Sequence, residues 1–404
     1  MIDMHVKGSA ELPLHTGHVP PGLLQYMKKL GRAIALYIID VFGPDKLIER
    51  LSDPLWFQAF NNVIGMDWDS SGSTTVVLYV LKDFANVYTF NDLGIAVLGG
   101  KGIDSRYILD EADILDRSGD VDVDNLKYIS MLSAKIDSAA LQDGYSLYIH
   151  SIILSRNNTW TVIQQGMNTD LKMARRYHIY NMVTAETDPH SGIACNSIGK
   201  ALNLVDHSSK SIRRTIIDLI NSTSPSILVR KIAEINRMLK NNLSLESWIS
   251  KGNSLHNLSS IKDVDPMENP LLYKPIININ RIERALHVLS DIKPSSFEEL
   301  LILKGVGAET MRALALIANL VYGEEPSSKD PVTHPLDPFI YSYAHGGKDG
   351  VPYPIKLSVM RETIAFLEEA IAEARIDIKI KRKALERLHK LFNMGIAENT
   401  THFS

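Results

Sequence analysis

The chain has 404 residues, 45% of them hydrophobic and 22% charged, which is enough ordinary apolar sequence for two or three globular domains. Its one cysteine, Cys195, excludes an internal disulfide and a cysteine-based zinc site within one chain. The formal net charge of −4 excludes the overall positive field of histone-like proteins, so a nucleic acid would have to be bound by local patches and backbone amides.

Signals for membrane insertion or export do not stand out in the sequence. No apolar run reaches the length of a transmembrane helix, and residues 1–13 carry several charged side chains. We therefore expect a cytoplasmic protein without a membrane partner.

The first half of the chain mixes helix and strand patterns. Apolar residues recur with helical spacing over Leu23–Val41 and stop at Gly43, which predicts an amphipathic helix. A second helix is predicted over Trp56–Ile64. Two strands joined by a tight turn are predicted at Tyr145–Leu154 and Trp160–Gln164.

The second half is dominated by helical patterns. Helices are predicted between Lys210 and Ser260, with a linker near Lys251–Pro270 and a long closing helix over Leu357–Phe392, which either packs on the body or mediates a homodimer. We therefore predict an α+β protein, with a mixed α/β N-terminal domain and an all-α C-terminal domain. The predicted boundaries are 1–206 for the mixed domain, 207–277 for a helical connection and linker, and 278–404 for the helical domain.

The most informative stretch is Leu300–Leu320. A short helix ends at Lys304, a Gly-Val-Gly turn follows, and a second helix runs from about Glu309 to Val321. The start of a helix behind such a turn presents unpaired N–H groups, which bind anions and fix a phosphate without reading base sequence. The predicted phosphate-binding residues are Gly305, Val306, Gly307, Ala308 and Thr310.

This stretch resembles the helix-hairpin-helix of DNA repair proteins, although Met311 stands where that pattern has a small residue. A plain helical corner is the alternative. In the glycosylases of this superfamily, which act on a flipped nucleotide, a catalytic aspartate follows the hairpin. The resemblance implies that role for Asp330, or for Asp337 in a second Asp-Pro setting, unless both are ordinary cap or turn residues. Glu309 occupies the position of the lysine that gives some relatives a lyase activity.

Further basic residues are candidate DNA contacts. His345 and Lys348 lie on a Gly-Gly loop with two tyrosines, which suits an unstacked base or a packed surface turn. Arg175 and Arg176 suggest a phosphate-contacting patch or a solvated helix face. Lys101, like Lys348, could replace the missing lyase lysine.

A metal-dependent nuclease is the catalytic alternative. Asp137 and Asp143 lie near a predicted hairpin that ends in Gln164 and Gln165, a loose likeness to a nuclease core that needs hard oxygen ligands for Mg²⁺. The other interpretation of these residues is a buried polar network that fixes the packing.

Several long motifs resemble the family called domain of unknown function 763, over most of the chain. That resemblance implies archaeal or thermophilic bacterial relatives and carries no mechanism. The motifs begin at Glu11 (Glu-Leu-Pro-Leu-His), Asp53 (Asp-Pro-x-Trp-Phe-Gln-Ala), Gly65 (Gly-Met-Asp-Trp-Asp-Ser-Ser-Gly), Gly99 (Gly-Gly-Lys-Gly), Ala140 (Ala-Leu-Gln-Asp-Gly), Val162 (Val-Ile-Gln-Gln-Gly-Met-Asn) and Ala344 (Ala-His-Gly-Gly-Lys-Asp-Gly).

The sequence therefore leaves three possible functions. The first is a DNA glycosylase without a cofactor, acting on a damaged or modified base in duplex DNA with a flipped or unstacked nucleotide. The second is a Mg²⁺-dependent nuclease that uses the hairpin only for docking. The third is a DNA-binding protein without catalysis.

Overall fold

A computed structural model describes residues 21–64, 72–115, 121–182, 184–195, 197–240 and 269–335, together with short stretches between residues 365 and 386. Within these ranges no helix combines the length and the apolar character needed to cross a bilayer.

Helices begin and end the described part of the chain and surround its strands. The two helices predicted near the N-terminus are confirmed as α1 and α3. The α-helices are α1 (Pro21–Phe42), α2 (Pro44–Leu51), α3 (Pro54–Ile64), α4 (Gly72–Phe84), α5 (Phe90–Leu93), α6 (Ile108–Leu115), α7 (Val123–Lys135), α8 (Lys210–Ser222), α9 (Pro225–Lys240), α10 (Ile279–Ile292), α11 (Phe297–Ile302) and α12 (Ala308–Tyr322).

The strands form two sheets. Within the described residues, a six-stranded sheet has the order β1-β3-β4-β5-β6-β9 and a three-stranded sheet has the order β2-β7-β8. All neighbours are antiparallel except β6 and β9. The strands are β1 (Ile95–Lys101), β2 (Leu141–Gln142), β3 (Ser146–Ser155), β4 (Trp160–Asn168), β5 (Met173–Tyr180), β6 (Gly192–Cys195), β7 (Lys200–Asn203), β8 (Ser327–Lys329) and β9 (His334–Pro335).

The large sheet separates two apolar cores. Alternate side chains of a strand point to opposite faces, so Ile163 packs with α1–α4 on one face. Its neighbour Val162 packs with α6–α12 on the other face. The predicted strand pair is confirmed as β3 and β4, with Ile152 opposite Val162. Both faces of this sheet are therefore covered by helices, and polar side chains in its middle strands are buried.

The C-terminal part is not all α, which corrects the predicted fold class. Strand β8 pairs with β7, and β9 pairs with β6, so this part contributes a strand to each sheet. One apolar cluster runs from Phe90 to Leu320 across both predicted domain boundaries. In space, the predicted domains therefore share a core.

The closing helix predicted over Leu357–Phe392 lies largely outside the described residues. Its described stretches include Phe366, Ala370 and Ile371, which are buried in the cluster formed by α1–α4. The guanidinium of Arg50 lies 4.7 Å from the centroid of the Phe366 ring. This segment therefore packs on the body of the same chain.

Helix α7 changes geometry where it ends. It begins at a capping residue, Asp122, whose side chain accepts from the N–H of Asn125. After Lys135 the backbone continues as a π-helical turn, Ile136–Ala140, and then enters β2. The regular α-helix therefore ends at Lys135. Single π turns inside or after α-helices widen the backbone locally and often occur at functional sites.

Candidate functional site

The predicted hairpin consists of α11, a tight turn and α12. The side chain of Ser296 accepts from the N–H of Glu299 and caps α11. The turn depends on Gly305, whose φ of +93° lies in the region that favours glycine. Val306 is 1% exposed and fills the space between the helices.

The start of α12 is open to a ligand on its backbone side. Its cap residue, Gly307, contributes no side-chain hydrogen bond, so the first N–H groups of the helix lack an acceptor within the helix. A Cβ added at Gly307 would meet no atom within 4 Å. Thr310 differs from the prediction. It is 3% exposed, and its hydroxyl donates to the Gly305 carbonyl at 3.2 Å, so it is used within the turn.

Two side chains fasten the turn to the segment that follows α7. The ammonium of Lys135 donates to the carbonyl of Val306. The amide of Gln142 donates to the carbonyl of Ala308 at 2.9 Å and to that of Ala139 at 3.0 Å. We call Lys135–Gln142 the clamp segment. Its first and last residues both donate hydrogen bonds to carbonyl groups of the hairpin turn.

Several basic side chains lie at or beside this turn. Burial lowers the pKa of Lys135, and the nearby guanidinium of Arg281 lowers it further. Lys304, on the turn itself, is exposed. Gly305 packs against α10, where an added Cβ would lie 3.2 Å from the Cβ of Ala285. The open helix terminus thus lies among local cations, although the chain as a whole is acidic.

A buried ion-pair cluster lies on the large sheet. Arg175 of β5 donates to both oxygens of Asp330, at 2.9 and 2.8 Å, and to Asp143 at 2.8 Å. It also donates to the carbonyl of Ser197 at 2.9 Å. The second oxygen of Asp330 accepts the N–H of Gly199 at 2.8 Å. The three charged side chains are at most 2% exposed.

Two tyrosines complete the surroundings of this cluster. The hydroxyl of Tyr177 donates to Asp143 at 2.7 Å, and the ring of Tyr145 lies 4.4 Å from the Arg175 guanidinium. The Tyr145 hydroxyl lies 3.2 Å from the thiol of Cys195. Burial would lower the pKa of Arg175, but the facing carboxylates outweigh it and raise that pKa. The guanidinium is therefore a permanent cation, hydrogen-bonded through both of its terminal nitrogens.

Asp137 lies on the π turn and faces the same region. One of its oxygens lies 2.6 Å from Nε2 of His190, and the other accepts from the side-chain amide of Gln164 at 2.5 Å. That amide also donates to the carbonyl of Ser133 at 3.1 Å. Burial raises the pKa of Asp137, and the imidazole of His190 opposes the rise. Asp137 and His190 therefore form a buried carboxylate–imidazole pair. Contacts to both carboxylate oxygens fix the orientation of the Asp137 side chain.

The family model described as "Protein of unknown function (DUF763)" matches residues 8–355. The chain belongs to the DUF763 family. No curated protein and no solved structure matches it.

Three of the four carboxylates singled out from the sequence of this DUF763 protein lie together. Asp143 and Asp330 share Arg175, and the charges of Asp143 and Arg175 both act on Asp137. The predictions had assigned Asp330 to a glycosylase and the other two to a nuclease. Asp330 is not a free turn residue, because Arg175 binds both of its oxygens. The fourth, Asp337, lies outside the described residues, as do His345 and Lys348.

The basic residues of β5 do not form the phosphate-contacting patch that was considered. Arg175 is 1% exposed and Arg176 is 4% exposed, because both faces of β5 are covered. Arg176 donates to Nε2 of His178 at 3.0 Å and lies 4.5 Å from the centroid of the Phe57 ring. Lys101 is exposed, with its ammonium 6.0 Å from the centroid of the Tyr148 ring.

The residues predicted as metal ligands of a nuclease lie on opposite faces of the large sheet. Gln164 faces the clamp segment, whereas its neighbour Gln165 faces α4, where the hydroxyl of Thr74 donates to it. Among the residues that the structure describes, no three His, Cys, Asp or Glu side chains form a group suited to a metal ion.

Sequence reasoning missed His190 and Tyr177. Tyr177 directly follows the basic pair Arg175-Arg176, and the sequence pattern gives no sign that both faces of its strand are buried. His190 precedes β6 in an irregular segment, without the periodicity that would place it. Its proximity to Asp137, 53 residues away in the chain, is a product of tertiary structure.

Proposed function

We propose that this DUF763 protein binds duplex DNA through its phosphate backbone, at the turn between α11 and α12. The observation that carries the proposal is the start of α12 behind the tight turn at Gly305, where the first backbone N–H groups have no side-chain cap. A backbone grip of this kind holds DNA without reading its sequence.

The charge distribution supports the same assignment. A net charge of −4 gives no general attraction for DNA, so a phosphate has to be bound where local donors and cations coincide. Lys304 is exposed on the turn, and Lys135 and Arg281 are beside it. Amide donors and a few cations suffice for a non-specific contact, and its affinity falls steeply with salt.

The test removes one backbone donor without disturbing the helix. Ala308 is the first residue of α12, where proline is tolerated, and the extended Gly307 before it suits a following proline. Ala308→Pro deletes the N–H, whereas the control Ala308→Gly keeps it. We expect Ala308→Pro to weaken binding of a labelled duplex about tenfold, measured by fluorescence anisotropy, because a hydrogen bond to a charged group contributes about 1.5–3 kcal/mol.

Equal affinities of the proline and glycine variants, with both folded by circular dichroism, contradict the proposal. Lys304→Gln adds a second readout, since loss of one phosphate contact lowers the slope of log affinity against log salt by about 1. Lys200→Gln, a change of an exposed lysine on β7, is its control.

A second function, removal of a damaged or modified base, has support from the position of the carboxylates. The π turn that carries Asp137 belongs to the clamp segment, and Asp143 follows that segment directly. DNA docked on the hairpin would therefore lie beside the element that orients acidic side chains. Glu309 in place of a lyase lysine favours hydrolysis of the glycosidic bond over β-elimination.

Asp330→Asn tests the part of this proposal that came from sequence spacing. If Asp330 assists glycosidic cleavage, the variant loses base release from duplexes with single modified bases while its DNA affinity stays unchanged. Asp218→Asn, at an exposed position on α8, is the matched control. Full activity of Asp330→Asn assigns this residue to the ion-pair cluster alone. Strand cleavage that requires Mg²⁺ and stops with EDTA would instead favour a nuclease.

A further inference from the structure

Asp137 and His190 form a buried pair with the orientation of a general base and its partner. Their 2.6 Å contact joins a carboxylate oxygen to Nε2, and the side chains are 0% and 4% exposed. Gln164 binds the other carboxylate oxygen, so the carboxylate is held from both sides. An aspartate that accepts from one imidazole nitrogen fixes the tautomer and leaves the lone pair on the other nitrogen.

The second nitrogen of His190 is placed to accept a proton from outside the protein. Within the described residues Nδ1 has no hydrogen-bond partner, and it is not among the side-chain atoms sealed from solvent. Two other buried histidines lack this arrangement. His150 has Nε2 on Ser130 and a sealed Nδ1, and both nitrogens of His178 are hydrogen-bonded within the protein.

The pair is mechanically connected to the proposed DNA contact. Asp137 stands in the middle of the clamp segment, whose first and last residues, Lys135 and Gln142, bind carbonyls of the hairpin turn. The wide backbone of the π turn lets Asp137 face the sheet between those two anchors. The segment that carries Asp137 is therefore anchored on the turn where DNA is proposed to bind.

We infer that His190 is the general base of a hydrolytic site and that Asp137 is its positioning residue. The inference rests on the proposed DNA contact. Nδ1 takes a proton from a water molecule as the water oxygen bonds to C1′ of a bound nucleotide. The bond from C1′ to the base nitrogen breaks, and its electron pair leaves with the base. The imidazolium, stabilised by Asp137, then returns the proton to the departing base, so one water is consumed per base released.

The experiment compares His190→Ala with His207→Ala, a change of an exposed histidine in the short turn before α8. Duplexes that each carry one uracil, hypoxanthine, 8-oxoguanine or 3-methyladenine are incubated without metal, and alkali then reveals abasic sites. We expect the wild type and His207→Ala to release at least one of these bases. His190→Ala should be slower by about 100-fold or more in single turnovers, because general-base catalysis contributes about 10²–10⁴-fold.

Four further tests distinguish the possible reasons for a loss of activity. Duplex affinity by anisotropy should stay within about twofold of the wild type, since His190 contacts Asp137 and the ring of Tyr177, away from the residues proposed to bind phosphate. If His190→Ala does not fold, His190→Gln keeps an amide for Asp137 but supplies no base. Asp137→Asn should move the acidic limb of the rate–pH profile, which a packing role would not do. The ¹⁵N spectrum of labelled histidine should show His190 as the tautomer protonated at Nε2.

Wild-type rates in His190→Ala overturn the inference. So does a wild type that binds DNA but releases none of the four bases, an outcome that leaves the DNA-binding proposal intact. Absence of binding by the wild type overturns the DNA-binding proposal and this inference together. An Nδ1-protonated His190 contradicts the orientation on which the inference depends.

Discussion

Replacement of Arg175 by methionine should destabilise the protein more than any single change to its partners. The methionine fills a similar volume but leaves Asp143 and Asp330 facing each other without a cation, at side-chain exposures of 1% and 2%. Breaking one buried ion pair costs about 3–5 kcal/mol, because an uncompensated charge remains. Arg175→Met leaves two carboxylates without a cation. We therefore expect the free energy of unfolding to fall by about 5 kcal/mol, the upper end of that range.

The same reasoning predicts partial rescue. Asp330→Asn alone leaves Arg175 paired with Asp143 and should cost about 3 kcal/mol, the lower end. A triple variant with Arg175→Met, Asp143→Asn and Asp330→Asn contains no buried charge in this cluster. It should recover most of the lost stability, since a neutral replacement of a buried ion pair is often tolerated.

The assay is urea unfolding followed by tryptophan fluorescence, with the slope of free energy against urea checked for each variant. Lys200→Gln, at the exposed start of β7, is the control for a harmless loss of charge. The reasoning is refuted if Arg175→Met costs less than about 1 kcal/mol, or if the triple variant is no more stable than Arg175→Met.

Two other predictions concern the turn and the histidines. Gly305→Ala should cost about 1–2 kcal/mol, because φ is +93° and the new Cβ would lie 3.2 Å from that of Ala285. Gly307→Ala is its matched control and should be near neutral, since φ is −147° and no atom lies within 4 Å. Burial lowers the pKa of His150 and that of His334 to about 4. The unfolded chain takes up these protons first as the pH falls below about 6.5, so stability is complete above that pH and is lost towards about pH 4. Each histidine should contribute a loss of about 2 kcal/mol between about pH 7.5 and pH 5 in urea unfolding, and His150→Gln should lose that much less. A pH dependence identical to the wild type would contradict the burial of His150.

Local sequence patterns predicted the helices and strands that are defined by residues close together in the chain. The helical spacing before Gly43 and the two strands around residues 155–159 were confirmed as α1, β3 and β4. Strand β5 shows where such reasoning stops. Its run Arg175-Arg176-Tyr177-His178 has the composition of a surface, yet Arg175 is buried because Asp143 and Asp330 meet it from 32 and 155 residues away. Charge neutralisation by distant partners leaves no periodic trace in the chain.

Several residues of the candidate site could be selected from the sequence, but their arrangement in space could not be predicted. Asp137, Asp143 and Asp330 were selected from the sequence for two competing chemistries, and the fold brings them into one region. His190 could not be found in the same way, since a single histidine in an irregular segment has many ordinary explanations. The short strands β8 and β9 were missed because two or three residues are too few for an alternating pattern to be recognised.

The clamp segment connects the hairpin turn with the buried pair of Asp137 and His190. Lys135 and Gln142 replace water at carbonyls of the turn, so a shift of the turn would break hydrogen bonds at both ends of the segment. Asp137 lies between those anchors, and its contact with His190 depends on where the π turn holds its backbone. The segment that is anchored on the hairpin turn therefore also carries the carboxylate that the imidazole contacts. A plain helical corner would need no such connection, and this coupling is the strongest physical argument that the turn has a function beyond joining two helices.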